Sequence, residues 1–256
     1  MTDPVALVRL EKAALDNGFD RELPHLADWL GFGSTHAPLE VWLRAKEDLQ
    51  LVVAVSRVDV AKALGDLGAA SSVKHPLESA VCLDVETISE LGRLLRRAYQ
   101  LARTLPHQLL HDFEQRTAGM PRATEAERLI VQRVGQDVFR CGLLEYWEGR
   151  CAATGLAVTE LLRASHIKPW ADCATDAERL DVFNGLLLAP HLDAAFDKGF
   201  ITVNELGAVV ISPALAESAR LQLGLAEGFK IERLTPAHQE YLRWHRDHVY
   251  RRTVAQ

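Results

Sequence analysis

The chain has 256 residues, 48% of them hydrophobic and 25% charged, with a formal net charge of −6. That length holds one large domain or two small ones, each with its own core, and the composition is that of an ordinary globular protein. The acidic balance excludes a protein that coats nucleic acid indiscriminately, while leaving room for a local basic face.

No apolar run approaches the ~20 residues of a membrane span, so no membrane association is expected. The opening MTDPVALVRLEK places charges inside its apolar stretch and lacks a secretory core, which points to a cytoplasmic location. Cys82, Cys141, Cys151 and Cys173 form no CxxC pair, so free thiols are expected and a structural zinc is not.

Val5, Leu7, Val8, Leu10 and Leu15 predict a helix over 3–17, stopped by Asn17-Gly18. A second short helix is predicted over 23–30, ended by Gly31-Phe32-Gly33. The unbroken β-branched run 49–56 reads as a buried strand. Helical spacing returns over 59–67 and again over 85–105, the latter with Thr87 or Ser89 as cap and Pro106 beyond its end. Residues 1–105 therefore read as a small mixed α/β domain. Residues 106–123 lose clear periodicity and read as connector, with a boundary near residue 120. The expected domains are thus 1–120, recognition or accessory with its linker, and 121–256.

Thr124 followed by Glu127 is a capping box that opens a helix running to Trp147. Leu161 to Ile167 suits a strand that delivers His166 to its end, where Pro169-Trp170 breaks it. A polar loop over 171–183, helical around 174–180, leads to a short strand at Gly185–Leu188. Pro190 suits a helix start, 191–198 gives about two turns, and Gly199 is the expected cap. Two strands around Asn204-Glu-Leu-Gly207 read as a hairpin. The last helix starts at Thr235-Pro236, with Leu242, His245 and Val249 on one stripe and Arg243, Arg246, Arg251 and Arg252 clustered.

The order histidine, asparagine, then two carboxylates four residues apart is what a one-metal phosphodiesterase site needs. Spacing i,i+4 puts Asp193 and Asp197 on one helical face, and two carboxylates suit Mg²⁺ or Mn²⁺. Arg163 and Lys168 bracket His166. Arg163 lies at an odd offset and points to the opposite face of the strand, so Lys168 is the better phosphate candidate.

ASHIKPW, RLDVFNGLLL and a helix ending FDKG together resemble the HNH endonuclease family, with its ββα-metal fold. FRCGLLEYWEGRCAATG further resembles a subfamily assigned to bacterial restriction endonucleases. The resemblance spans about residues 124–215. It implies an α+β protein in which a C-terminal ββα-metal nuclease domain follows the small mixed α/β domain. It also implies a divalent-metal-dependent DNA endonuclease of restriction or phage-defence type. By position His166 is the general base and Asn184 the loop brace. Asp193 and Asp197 are the ligands of one Mg²⁺ or Mn²⁺, with His191 an auxiliary or phosphate contact; Lys168, by its strand offset, and Arg246, in the basic cluster of the last helix, are the other candidate nucleic-acid contacts. Ser165 departs from the family pattern, which has an Asp or His ligand there. The implied substrate is DNA, double-stranded and with base modification open, and a homodimer is one route to cutting both strands. Two other readings stay open. One is an HNH-like module that binds nucleic acid without turnover, motivated by Ser165. The other is a nuclease toxin or effector.

Overall fold

The computed structural model describes residues 4–46, 50–74, 80–225 and 228–253. The chain separates into two compact units, Met1–Leu105 and Pro106–Gln256. No helix among the described residues is long and apolar enough to cross a membrane.

The first unit opens with helix α1 (Pro4–Asp16) and continues through strands β1 (Arg21–Leu26), β2 (Trp29–Gly33), β3 (Glu40–Ala45) and β4 (Leu51–Val55). Helix α2 (Val58–Ala63), the two-residue β5 (Ala69–Ala70), β6 (Val81–Val85) and helix α3 (Ile88–Thr104) complete it. The sheet order is β1-β2-β3-β4-β6-β5, and every pairing is antiparallel. Thr87 caps α3 in a capping box with Glu90, which removes two orphan donors of the first turn. Leu91, Leu94, Leu95, Ala98, Leu101 and Ala102 give α3 a fully buried stripe.

The helix predicted over 23–30 is instead the β1–β2 hairpin, turning at Ala27 with φ 56. The register shifts between Leu23 and Leu26, and both pack on the cluster of Trp29, Trp42, Val52, Ala54 and Cys82. A bulge puts two leucines three residues apart on one side of a strand, which imitates helical spacing. Pro24 is tolerated because β1 is an edge strand with no further partner for the missing N–H.

The second unit begins with α4 (Pro106–Thr117), where connector was expected. Leu109, Phe113 and Thr117 form a narrow buried stripe four residues apart, too thin to stand out in the sequence. α4 packs on α5 (Glu125–Tyr146), the helix opened by the Thr124–Glu127 capping box. β7 (Arg163–His166), the single-turn α6 (Asp176–Arg179), β8 (Gly185–Leu188) and α7 (Pro190–Asp197) follow. The hairpin of β9 (Ile201–Val203) and β10 (Val209–Ile211) forms as predicted, and α8 (Glu217–Gln222) and α9 (Pro236–His248) close the unit. β7 and β8 pair antiparallel, with Ser165 opposite Leu186 and His166 opposite Gly185. Both α5 and α7 contact β7. Successive side chains of a strand point to opposite faces, so β7 presents alternate residues to each helix.

Gly199 follows α7 with φ +70, and a Cβ there would lie 2.0 Å from the Val249 carbonyl oxygen. The Arg251 N–H donates to the Gly199 carbonyl at 3.0 Å. The segment after α9 is thus laid directly on the turn that ends α7, and only glycine allows the approach.

Candidate active site

His166 faces α5. Its ring stacks on Phe139 at 3.8 Å between centroids, and the Trp170 ring meets it edge-on at 5.6 Å. Its Nε2 donates to the Arg179 carbonyl at 2.9 Å. That bond leaves Nδ1 as the unprotonated, proton-accepting nitrogen. Burial pulls the imidazole down to about 4, against a small opposing effect of the carbonyl, so the ring is neutral at neutral pH.

The Arg179 carbonyl is presented by a loop that is tied to itself. The Arg179 guanidinium donates to the Trp170 and Cys173 carbonyls and to Asp176. Glu178 pairs with Lys168 Nζ at 2.6 Å and accepts from the Ala174 N–H. Trp170 is seated over Gly135 of α5, where a Cβ would come within 2.5 Å of the ring. No sequence pattern marks Arg179 as a partner of His166, because the acceptor is main chain and any residue supplies one.

Asn184 is fully buried. Its Oδ1 accepts from the Lys168 N–H at 2.8 Å, and its Nδ2 donates towards the Lys168 and Glu178 carbonyls and Cys173 Sγ. One side chain therefore binds the segment after His166 and the helical turn before Arg179. Asp181 extends the tie, since its Oδ1 accepts from the Phe183 N–H and its Oδ2 from the Tyr241 hydroxyl of α9 at 3.0 Å.

Ser165 faces α7. It is 2% exposed, and its Oγ donates to Asp197 Oδ1 at 3.4 Å. Burial raises the Asp193 carboxyl above its ordinary value, opposed by the Ser165 hydroxyl and the Arg163 charge. Burial also raises Asp197, and the neighbouring Asp193 charge pushes it further the same way. Two carboxylates that disfavour each other's charge are what a bound divalent cation would relieve.

A cleft of about 580 Å³ joins both faces of β7. His166, Ser165, Asp193 and Asp197 all line it, with Arg163, Lys198 and Trp170 beside them. Among the described residues no group of three or more His, Cys, Asp or Glu side chains gathers as a metal site. On the face of β7 that looks at α7 the donors are oxygens, the Asp193 and Asp197 carboxylates and the Ser165 hydroxyl. Such a set fits a hard cation of the Mg²⁺ or Mn²⁺ kind that keeps several waters.

The remaining predicted residues lie off this cleft. Lys168 is held by Glu178, with its ammonium 5.9 Å from the centre of the Trp244 ring. Arg246 donates to the Val203 carbonyl at 2.8 Å and reaches Glu205. His191 is half-buried on α7 and is absent from the cleft lining. His245, on the inner stripe of α9, does reach the lining, but it is locked. Its Nδ1 accepts from the Thr202 hydroxyl, its Nε2 donates to the Phe196 carbonyl, and its ring stacks on Phe196 at 3.9 Å.

Residues 151–204 match the family described as HNH endonuclease. That stretch contains β7, the braced loop, β8 and α7, and so every side chain from Ser165 to Asp197 discussed above. The C-terminal unit therefore carries a stretch that matches an HNH endonuclease domain, which suggests a nuclease. No curated protein matches the chain.

Proposed function

We propose that this HNH endonuclease domain hydrolyses DNA phosphodiester bonds with His166 as general base, in a divalent-metal-dependent reaction. The observation that carries the reading is the cleft shared by a neutral histidine, with one nitrogen engaged and the other free, and two carboxylates, Asp193 half-buried and Asp197 exposed. His166 Nδ1 takes the proton of a water as that water attacks phosphorus. The Arg179 carbonyl holds the ring in the required tautomer, and Phe139 fixes its plane. Asn184 keeps the base and the carbonyl in register, without touching substrate. Asp193 and Asp197 would hold the Mg²⁺ or Mn²⁺, with Ser165 steadying them from the strand. Such a cation, when bound, stabilises negative charge on the phosphate and the departing 3′-oxygen.

The biological role we propose is restriction or phage defence, with the first unit selecting the target. The support is the resemblance of the 139–155 segment to a restriction subfamily, together with the joining of a separate unit to the cutting one. Double-stranded DNA is the proposed substrate, and pairing of two copies would serve two-strand cleavage. Ser165, standing where a ligand is usual, favours a second reading in which the domain binds nucleic acid without turnover.

A plasmid-cleavage assay with Mg²⁺ or Mn²⁺, on unmodified and cytosine-modified DNA, separates these. Cleavage that is lost in His166→Ala, with the thermal transition retained, is expected. Cleavage equal to wild type in that variant would remove His166 as the base. A folded wild type that binds DNA and cuts none of it would establish the second reading.

A further inference from the structure

A site that closes on a phosphodiester needs more positive charge than one cation brings. Two carboxylates and one divalent ion cancel, yet the substrate phosphate is an anion and gains charge as water adds. The protein as a whole is acidic, at −6. The extra positive charge must come from side chains that reach the cleft and are not already spent.

Most cations near the site are spent. Arg140 lines the cleft, but it donates to the Leu162 carbonyl at 2.7 Å and the Thr159 carbonyl at 2.9 Å. Lys168, Arg179 and Arg246 are bound to Glu178, to loop carbonyls and to Val203. Arg163 and Lys198 differ. Both line the cleft and both are exposed. Neither side chain forms a hydrogen bond or ion pair among the described residues. Arg163 is two residues before Ser165, so it shares the strand face that looks at α7. Lys198 is the cap of α7, one residue beyond Asp197, and lines the same cleft. The two cations thus flank the carboxylate pair, one from the strand and one from the end of the helix.

We infer that Arg163 and Lys198 are the phosphate-holding residues of this cleft, Arg163 on the scissile phosphate and Lys198 on a neighbouring one. The inference rests on the nuclease reading above and deepens it. The planar guanidinium of Arg163 suits two oxygens of one phosphate, which a lysine matches only as a point charge. Lys198 sits where α7 ends, beyond both carboxylates in the chain, which suits a phosphate next to the scissile one.

The test uses the full chain, a short DNA duplex, and Arg163→Gln, Arg163→Lys and Lys198→Gln. Binding is read by fluorescence anisotropy in EDTA across a range of salt, and cleavage is read as kcat and KM with Mn²⁺. Each glutamine variant is expected to reduce the slope of log affinity against log salt by about 1. Arg163→Gln is further expected to lower kcat ~100-fold as well as raise KM, and Lys198→Gln to raise KM alone. Arg163→Lys should restore the salt slope and leave kcat low, which a merely structural arginine would not do. Unchanged salt slopes in both folded glutamine variants would overturn the inference. A His166→Ala protein that still cleaves would instead defeat the base assignment, and the salt slopes would judge Arg163 and Lys198 independently.

Discussion

His166 and His245 of the second unit are both held neutral, the first partly buried and the second fully so, and the environment of each sets what it does. His166 keeps one nitrogen towards the cleft, whereas His245 has both nitrogens consumed by Thr202 and the Phe196 carbonyl. Burial holds both at about 4, against an ordinary value near 6.5 in the unfolded chain. Between those limits the unfolded chain binds protons that the folded chain refuses. Stability from each histidine is therefore complete above about 6.5 and drains away as pH falls through about 4. The raised carboxyls of Asp181, Asp193 and Asp197 act in the opposite sense over the acid part of that range. A difference measurement removes them. Denaturant unfolding of wild type and His245→Gln should show wild type losing on the order of 2 kcal/mol more between pH 6.5 and 5. Equal pH slopes would mean that His245 is not held neutral by the fold.

At the scale of the element, β7 matters most because it is caught between two helices. Its odd and even residues serve different partners: Ser165 turns to the carboxylates of α7 and His166 to Phe139 of α5. Alternation along the strand is legible in the sequence, and it correctly separates Arg163 from His166. The sequence does not say which face holds the carboxylates, and that decides which cation is near them. The helix α7 ends in a device of similar economy. Gly199→Ala must meet both the cost of a left-handed residue, roughly 1–2 kcal/mol, and a clash with the Val249 carbonyl. Gly119→Ala meets the first cost alone, since its φ is +77 and nothing stands within 4 Å of the added carbon. Thermal unfolding should therefore show Gly199→Ala the more destabilised, by roughly 1–3 kcal/mol. Equal losses would show that the 249–251 segment is not docked on the turn.

Across the whole molecule, each unit has a core of its own. The first is built on a six-stranded antiparallel sheet with α3 as its main helix, the second on α4, α5 and the ββα motif. Each unit is compact by itself, the first ending at Leu105 and the second beginning at Pro106. A fragment of residues 106–256 is expected to fold with a single cooperative transition and to keep the cleavage chemistry while losing target selection. Circular dichroism with a cleavage assay on mixed plasmids checks this. An unfolded fragment would show that the second unit depends on the first, and unchanged selectivity would place target choice within the second unit.

Several features of the protein are set locally, by residues close together in the sequence. The capping boxes at Thr87 and Thr124 depend on residues three apart, and both helices start there. Pro190 and Gly199 punctuate α7 by backbone restriction alone, and the i,i+4 spacing puts Asp193 and Asp197 on one face. The ordered blocks around His166 and Asn184 carry the family, because a strand, a braced loop and a helix must follow in that order. Other features required the folded chain. The hairpin at 21–33 hid behind a bulge that copied helical spacing, and α4 behind an apolar stripe of three residues. The Arg179 carbonyl, the fate of Lys168 and the freedom of Arg163 are long-range facts. A backbone acceptor has no residue code, and a cation is spent or available only according to what packs beside it. Local restriction of the backbone therefore determined the elements and the motif. Tertiary packing decided which nitrogen, which face and which charge are left for chemistry.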